Sequence, residues 1–206
     1  MECRGFYHEA DSHQQGDLTM DASVSGTAVE SSGFARQRPL PIGSAVGYEI
    51  HEFLAWEAFL LDHGRYRDWT SLLAKTILYR CPNHLLADFS RSPLRSAPSD
   101  YREWGYEFLV AHACSSCPDA DSSADCFLTR RLVTNVIITP AHCAHEFSVI
   151  SYVLVTGIQA DGTESGMLTA ERRDCLRRTP NSFQISRRQV RIHQMAAPMA
   201  HLARIL

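Results

Sequence analysis

The chain has 206 residues with 45 % apolar content, enough for one domain with a complete core. Its formal net charge of −3 is spread over both signs, which makes no case for nucleic acid or an anionic membrane surface as a partner. No apolar run approaches the roughly 18 residues of a membrane span, and the N-terminus lacks the charged-then-apolar layout of a signal peptide, so a cytoplasmic location is expected.

Residues 1–44 are rich in Ser, Gly, Asp and Gln without a sustained period, and a flexible N-terminal arm is expected there, with Met20 as an alternative start. Pro39, Pro41 and Gly43 close the arm, and residues 45–206 read as a single α+β domain. In GYEIHEFLAWEAFLLD (47–62), Ile50, Phe53, Leu54, Ala58 and Leu61 recur at spacings of three and four, the period of one helical face. Trp56, Phe59 and Leu60 widen that face, which predicts a helix buried against a sheet and a further element. Gly64 stops it, and Tyr66, Trp69, Leu72 and Leu73 give a second helix its own stripe. Glu57 falls on the apolar face of the first helix. A buried carboxylate without a partner is costly, so Glu57 is expected to be hydrogen-bonded or paired with an arginine as a structural acid, the alternative being a catalytic acid or base.

TILYRC (76–81) alternates Ile77, Tyr79 and Cys81 against Thr76, Leu78 and Arg80, and Pro82 closes it as a half-buried strand. A loop region with a short strand near Leu85–Phe89 follows. Ser99 or Asp100 can cap a third helix from Tyr101 to about His112, with Trp104, Phe108 and Leu109 on its apolar side. Residues 113–126 are a loop by composition. The period then changes to two, and Leu128–Thr139, Glu146–Gln159, Gly166–Arg178 and Phe183–Met195 read as four long strands joined by short connections, an antiparallel meander. Helices followed by a run of strands give an α+β domain in which a curved, mostly antiparallel sheet wraps around the helices as a cone.

Strand parity places Leu132, Thr134, Val136 and Ile138 opposite Arg131, Val133, Asn135 and Ile137. It places Arg172, Asp174, Leu176 and Arg178 opposite Glu171, Arg173, Cys175 and Arg177. It also sets Arg187, Gln189, Arg191 and His193 against Arg188, Val190 and Ile192. Nine arginines on three strands exceed what a solvated sheet face needs. The expected use is a subunit interface formed by Arg130, Arg131, Asn135, Arg172, Arg173, Asp174, Arg177, Arg187, Arg188 and His193, because the guanidinium fork binds carboxylates and carbonyls. A solvated face, or internal pairs to Glu57 and Asp62, are the alternatives.

The run EFLAWEAFLLDHGRYRDWTSLLAKTILYRCP, followed in order by TRRLVTNV (129–136), ERRDCLRR (171–178) and FQISRRQVRIHQ (183–194), resembles the small (β) subunit of aromatic-ring-hydroxylating dioxygenases. The four matches span about 48–206, while residues 83–127 and the terminal AAPMAHLARIL follow the family pattern only loosely. The resemblance implies the cone fold shared with nuclear transport factor 2 and ketosteroid isomerase. It implies a partner α subunit that carries a Rieske [2Fe-2S] cluster and a mononuclear iron and adds both oxygen atoms to an aromatic ring as a cis-dihydrodiol. Electrons would come from NADH through a reductase, often with a ferredoxin. The β subunit would lack catalytic groups and support the α subunit in an α3β3 assembly, so charge reversal at Arg172 or Arg187 is expected to separate the subunits.

The motifs agree with a chain that holds no cofactor. A Rieske site needs Cys-x-His followed about 15–20 residues later by Cys-x-x-His. Here Cys143-Ala144-His145 and Cys81-Pro82-Asn83-His84 occur in the reverse order. His142, His145 and Glu146 offer the donors of a mononuclear iron site, but on a hairpin loop. Cys114, Cys117 and Cys126 with His112 offer zinc donors, yet no second Cys-x-x-Cys pair exists. The seven cysteines (3, 81, 114, 117, 126, 143 and 175) are expected to be reduced thiols. The rival readings are a stand-alone isomerase or dehydratase using Glu57, Asp62 and His51, and a non-enzymatic small-molecule binding domain.

Overall fold

The computed structural model describes residues 38–82, 101–115, 127–159, 162 and 165–196. Residues 1–37 of the expected arm (1–44), the strand near Leu85–Phe89, residues 116–126 of the expected loop (113–126) with Cys117 and Cys126, and Cys3 lie outside the described residues, while 113–115 belong to a helix.

The fold starts where Ser44 caps helix α1 (Ala45–Asp62), its hydroxyl accepting from the Gly47 N–H at 3.2 Å. A side chain at 47 would meet that hydroxyl, with a Cβ only 2.9 Å from Ser44 Oγ, so the cap requires glycine there. Gly64, at φ +65°, turns the chain out of α1 into the single-turn helix α2 (Tyr66–Thr70). Strand β1 (Leu73–Pro82) follows, then β2 (Tyr101–Trp104), helix α3 (Tyr106–Ser115), and four 14-residue strands, β3 (Phe127–Pro140), β4 (Glu146–Gln159), β5 (Ser165–Arg178) and β6 (Phe183–Ala196).

The sheet order is β2-β1-β6-β5-β4-β3, with β3 to β6 forming the expected antiparallel meander. β1 joins β6 in parallel and β2 joins β1 antiparallel, so the sheet is mixed at one side only. It is curved and unclosed, the cone-like α+β architecture predicted above. Its inner face meets α1 and Trp69 in a core of Ile50, Leu54, Leu61, Tyr79, Val155, Leu168, Ile185 and Val190 among others.

Three local expectations change. The third helix begins at Tyr106, because Tyr101–Trp104 pairs with Tyr79–Pro82 as a strand and Gly105 breaks before the helix. The second helix stops at Thr70; Leu72 lies in the turn that follows, its carbonyl accepting from the Ile185 N–H, and Leu73 begins β1. Trp56 and Phe59 are not buried. They stay 47 % and 42 % exposed, stacked on each other along the outer side of α1.

Parity holds through β5 but breaks in β3 and near the start of β6, where a register shift opposite Cys175 and Leu176 changes the buried set from Phe183 and Ile185 to Arg188, Val190 and Ile192. Asn135 adopts φ +50° in a bulge between Thr134 and Ile137, which inserts one residue and exchanges the faces. Arg131 and Val133 therefore point inward before it, and Val136 and Ile138 inward after it, while Asn135 and Ile137 are exposed. A left-handed backbone is tolerated by Asn and opposed by β-branching. We expect Asn135→Val to lower unfolding stability by about 1–2 kcal/mol in urea melts and Asn135→Gly to leave it nearly unchanged.

Candidate functional site: a buried ion network in the cone

Glu57 sits in the second half of α1, facing the sheet, and is 0 % exposed. Three elements converge on it. From β6, the Arg188 guanidinium grips both Glu57 oxygens, with Nη1 to Oε1 at 2.6 Å and Nη2 to Oε2 at 2.9 Å. From β5, Arg172 Nη1 donates to Glu57 Oε2 at 3.1 Å, and from α2 the Trp69 indole N–H donates to Oε1 at 3.1 Å. Arg188 turns its remaining donors to Asp174 of β5, Nε to Oδ1 at 2.8 Å and Nη2 to Oδ2 at 2.7 Å. Arg172 Nε donates to Ser151 of β4 at 3.3 Å. Two carboxylates and two guanidiniums balance in charge, the condition under which burial of ions is tolerable.

Burial alone would push the Glu57 carboxyl up; the Arg188 and Arg172 charges, with hydrogen bonds from Arg188 and Trp69, outweigh it and bring the pKa from an ordinary 4.5 to about 2. Arg188 is held well above its ordinary value, where the Asp174 and Glu57 carboxylates outweigh burial. Arg172 is lowered, by burial and then by Arg188. A carboxylate that stays ionised at neutral pH, with both oxygens occupied by fixed donors, has neither a proton to give nor a lone pair facing open space. It can hold elements together, but general acid–base work is closed to it.

A second internal pair flanks the first. Asp62, at the end of α1, accepts from the Arg131 guanidinium at 2.6 Å and from the Arg131 backbone N–H at 2.8 Å, tying α1 to the edge strand β3. The expectation that all ten sheet residues form a surface is thus corrected for four. Arg172, Asp174 and Arg188 are at most 3 % exposed, and Arg131 is spent on Asp62. Their parity in β5 and β6 makes them inward residues between Ala170, Leu176, Val190 and Ile192. Arg130, Asn135, Arg173, Arg177, Arg187 and His193 point out, Arg173 pairing with Glu171 and Arg177 with Glu146. Charge reversal at Arg172 would therefore break the interior rather than separate subunits.

Glu57, Asp62 and His51 do not converge. His51 is exposed and its ring lies 2.7 Å from the Gly47 carbonyl on its own helix. Nor do the metal candidates: no three His, Cys, Asp or Glu side chains among the described residues are grouped to hold an ion. Cys143 and His145 lie in the exposed β3–β4 turn, and Glu146 is taken up by Arg177. Cys81, Cys114, Cys143 and Cys175 are free thiols. Burial pushes the Cys81 thiol up to about 12, the reverse of the thiolate that a cluster ligand must be. Sequence reasoning missed Trp69 and Ser151 as partners. Ser151 was visible as a polar residue at an inward position between Val149 and Val153, whereas the α2 turn that aims Trp69 at Glu57 has no short-range signature.

The comparisons with known proteins bear on the family and the fold. Residues 120–198 match the family model described as "Ring hydroxylating beta subunit". The chain is 28 % identical over 164 residues to the benzene 1,2-dioxygenase subunit beta of Pseudomonas putida, covering 77 % of this chain and 87 % of that one. It is 26 % identical over 170 residues to the biphenyl 2,3-dioxygenase subunit beta of Rhodococcus jostii, covering 77 % and 88 %. Among solved structures it is similar to naphthalene 1,2-dioxygenase with indole bound in its active site (TM-score 0.60, 17 % identity, 77 % of this chain and 83 % of that one). It is also similar to a hexachlorocyclohexane dehydrochlorinase (TM-score 0.50, 13 % identity, 74 % and 88 %). Both structural likenesses concern the fold.

Because the Glu57 pKa lies below its unfolded value, its contribution to stability is present in full above about pH 4.5 and is lost as pH falls toward 2. We expect the free energy of unfolding, measured in urea at pH 5 and pH 3, to fall by on the order of 2 kcal/mol more in the native chain than in Glu57→Gln. Glu57→Ala, which strands two guanidiniums against one carboxylate, should cost about 3–5 kcal/mol.

Proposed function

We propose that this chain is a β subunit of a ring-hydroxylating dioxygenase and that its own part in such an enzyme is structural: it assembles with and supports an iron-bearing α subunit and performs no step of the oxidation itself. The observation that carries the proposal is the Glu57–Arg188–Asp174–Arg172 network. It fills the inside of the cone with matched charges, where a stand-alone enzyme on this fold would need a side chain free to exchange a proton.

The Rieske [2Fe-2S] cluster and the mononuclear iron belong, in this reading, to the α subunit. The described residues do not fit either group. Cys81 is buried as a thiol, and Cys143 and His145 supply only half of a cluster's donors. The α subunit would add both atoms of dioxygen to an aromatic ring, giving a cis-dihydrodiol, with electrons delivered from NADH by a reductase, directly or through a ferredoxin. The β subunit contributes a rigid body. Its two internal ion networks clamp α1 to β3, β5 and β6, so a load applied at the sheet surface is carried by the whole domain. The assembly is read as α3β3 and placed in the cytoplasm. No helix among the described residues is long and apolar enough to cross a membrane.

The test is turnover with separated components. The purified chain, given an aromatic hydrocarbon, NADH and reductase, should consume no oxygen and form no dihydrodiol, and it should co-purify with its α subunit when the two are co-expressed. Turnover by the chain alone, or stoichiometric iron retained by it after desalting, would overturn the reading.

A further inference from the structure

We infer that the outer face of the sheet, from β3 across to β6, seats the oxygenase α subunit, and that the surface it receives is apolar on one side and carries carboxylates on the other. This rests on the subunit reading above and adds the place and chemistry of the contact.

The outer face divides in two. Over β3, β4 and the start of β5, large apolar side chains stand in solvent: Leu128 (53 % exposed), Leu132 (50 %), Ile137 (45 %), Tyr152 (42 %), Ile158 (44 %) and Met167 (38 %). The register makes them neighbours rather than scattered residues. Leu128 faces Ile158, Leu132 faces Leu154, Ile137 faces Ile150, and Thr156, beside Met167, faces Arg130. The outer face of an antiparallel sheet that meets only water alternates to polar residues, so a contiguous apolar band of this size marks a contact. The Asn135 bulge contributes to it, because it is the exchange of faces that brings Ile137 out.

Over β5 and β6 the same face turns basic. The row Thr134–Tyr152–Glu171–Arg191 ends on one arginine, and the row Thr139–Ser148–Cys175–Arg187 on another. The acids of this face are already engaged, Glu171 by Arg173 at 2.6 Å and Glu146 by Arg177 at 2.9 Å. Among the described residues no carboxylate is paired with Arg187, Arg191 or Arg130. Three exposed guanidiniums beside an apolar band specify a partner whose carboxylates lie to one side of an apolar patch. They also decide against a second copy packed face to face, which would set Arg187 and Arg191 against their own images. At the far end of the band, Leu128, Arg130, Ile158 and Met167 line a groove of about 670 Å³, room for an apolar side chain of the partner next to an acid.

The test compares variants of the full chain for binding to the α subunit, with a thermal melt of each to establish folding. Arg187→Glu with Arg191→Glu, and separately Leu132→Glu, should each weaken binding at least about tenfold without lowering the melting temperature. Glu52→Arg with Trp56→Ala, on the exposed side of α1, should bind like the native chain. If both outer-face variants bind within about twofold of native, or if the α1 variant is the one that loses binding, the surface is wrong while the subunit reading stands. If the native chain does not bind the α subunit at all, the reading fails and takes the surface with it. If the outer-face variants instead lose only self-association of the free chain, the face belongs to a second copy and the inference is overturned.

Discussion

The fork of Arg188 between Glu57 and Asp174 is the constraint on which the rest of the domain depends. Four of its hydrogen bonds go to two carboxylates on two elements, and Glu57 in turn collects Arg172 and the Trp69 indole. One side chain from β6 therefore fixes the angle at which α1 lies in the sheet, and through Trp69 it fixes the chain reversal before β1. An interior held this way is specific as well as stable. An apolar core tolerates a helix that slides or rotates, but two matched ion pairs with shared oxygens do not, because any displacement leaves a charge uncompensated.

In the reading proposed above, the same network is what distinguishes a supporting subunit from an enzyme built on this fold. A cone of curved sheet around a helix encloses a space, and what fills that space decides the chemistry. Here the inward positions of β4, β5 and β6 carry Ser151, Arg172, Asp174 and Arg188 among aliphatic residues, and the two arginines link the other two to Glu57. The side chains that would make a proton-transfer pocket are present by type and cancelled by arrangement. The outer face, the solvated side in an ordinary sheet, carries the apolar surface instead.

Much of this was legible in the sequence. The 3–4 spacing in α1, the period of two in four long segments, and the order of helices before strands were enough for the cone, and they placed the meander strands within one or two residues. Glu57 stood out as an acid on an apolar face, and its need for an arginine followed from the cost of burial. Parity even separated Arg172 and Asp174 from Arg173 and Cys175, and Arg188 from Arg187. What parity does not say is which face is inside. Both faces of β5 carry arginine, and the inner set is recognised only when Glu57 is known to lie beneath it. The β3 bulge at Asn135 had no signal beyond the residue's tolerance of a positive φ, and every side chain after it exchanged faces. Tyr101–Trp104 went to a strand because a partner edge on β1 was available, a tertiary pairing that outweighs local helical preference.

The central claim is that Glu57 and its arginines hold the subunit together and take no part in oxidation. Turnover per iron, measured on intact assemblies of the α subunit with either the native chain or Glu57→Gln, tests it most directly. The account predicts less assembly and a lower melting temperature for the variant, but the same rate of dihydrodiol formation for each iron that remains assembled. A fully assembled variant whose rate per iron falls by about a hundredfold or more, the size of a lost acid–base contribution, would contradict it.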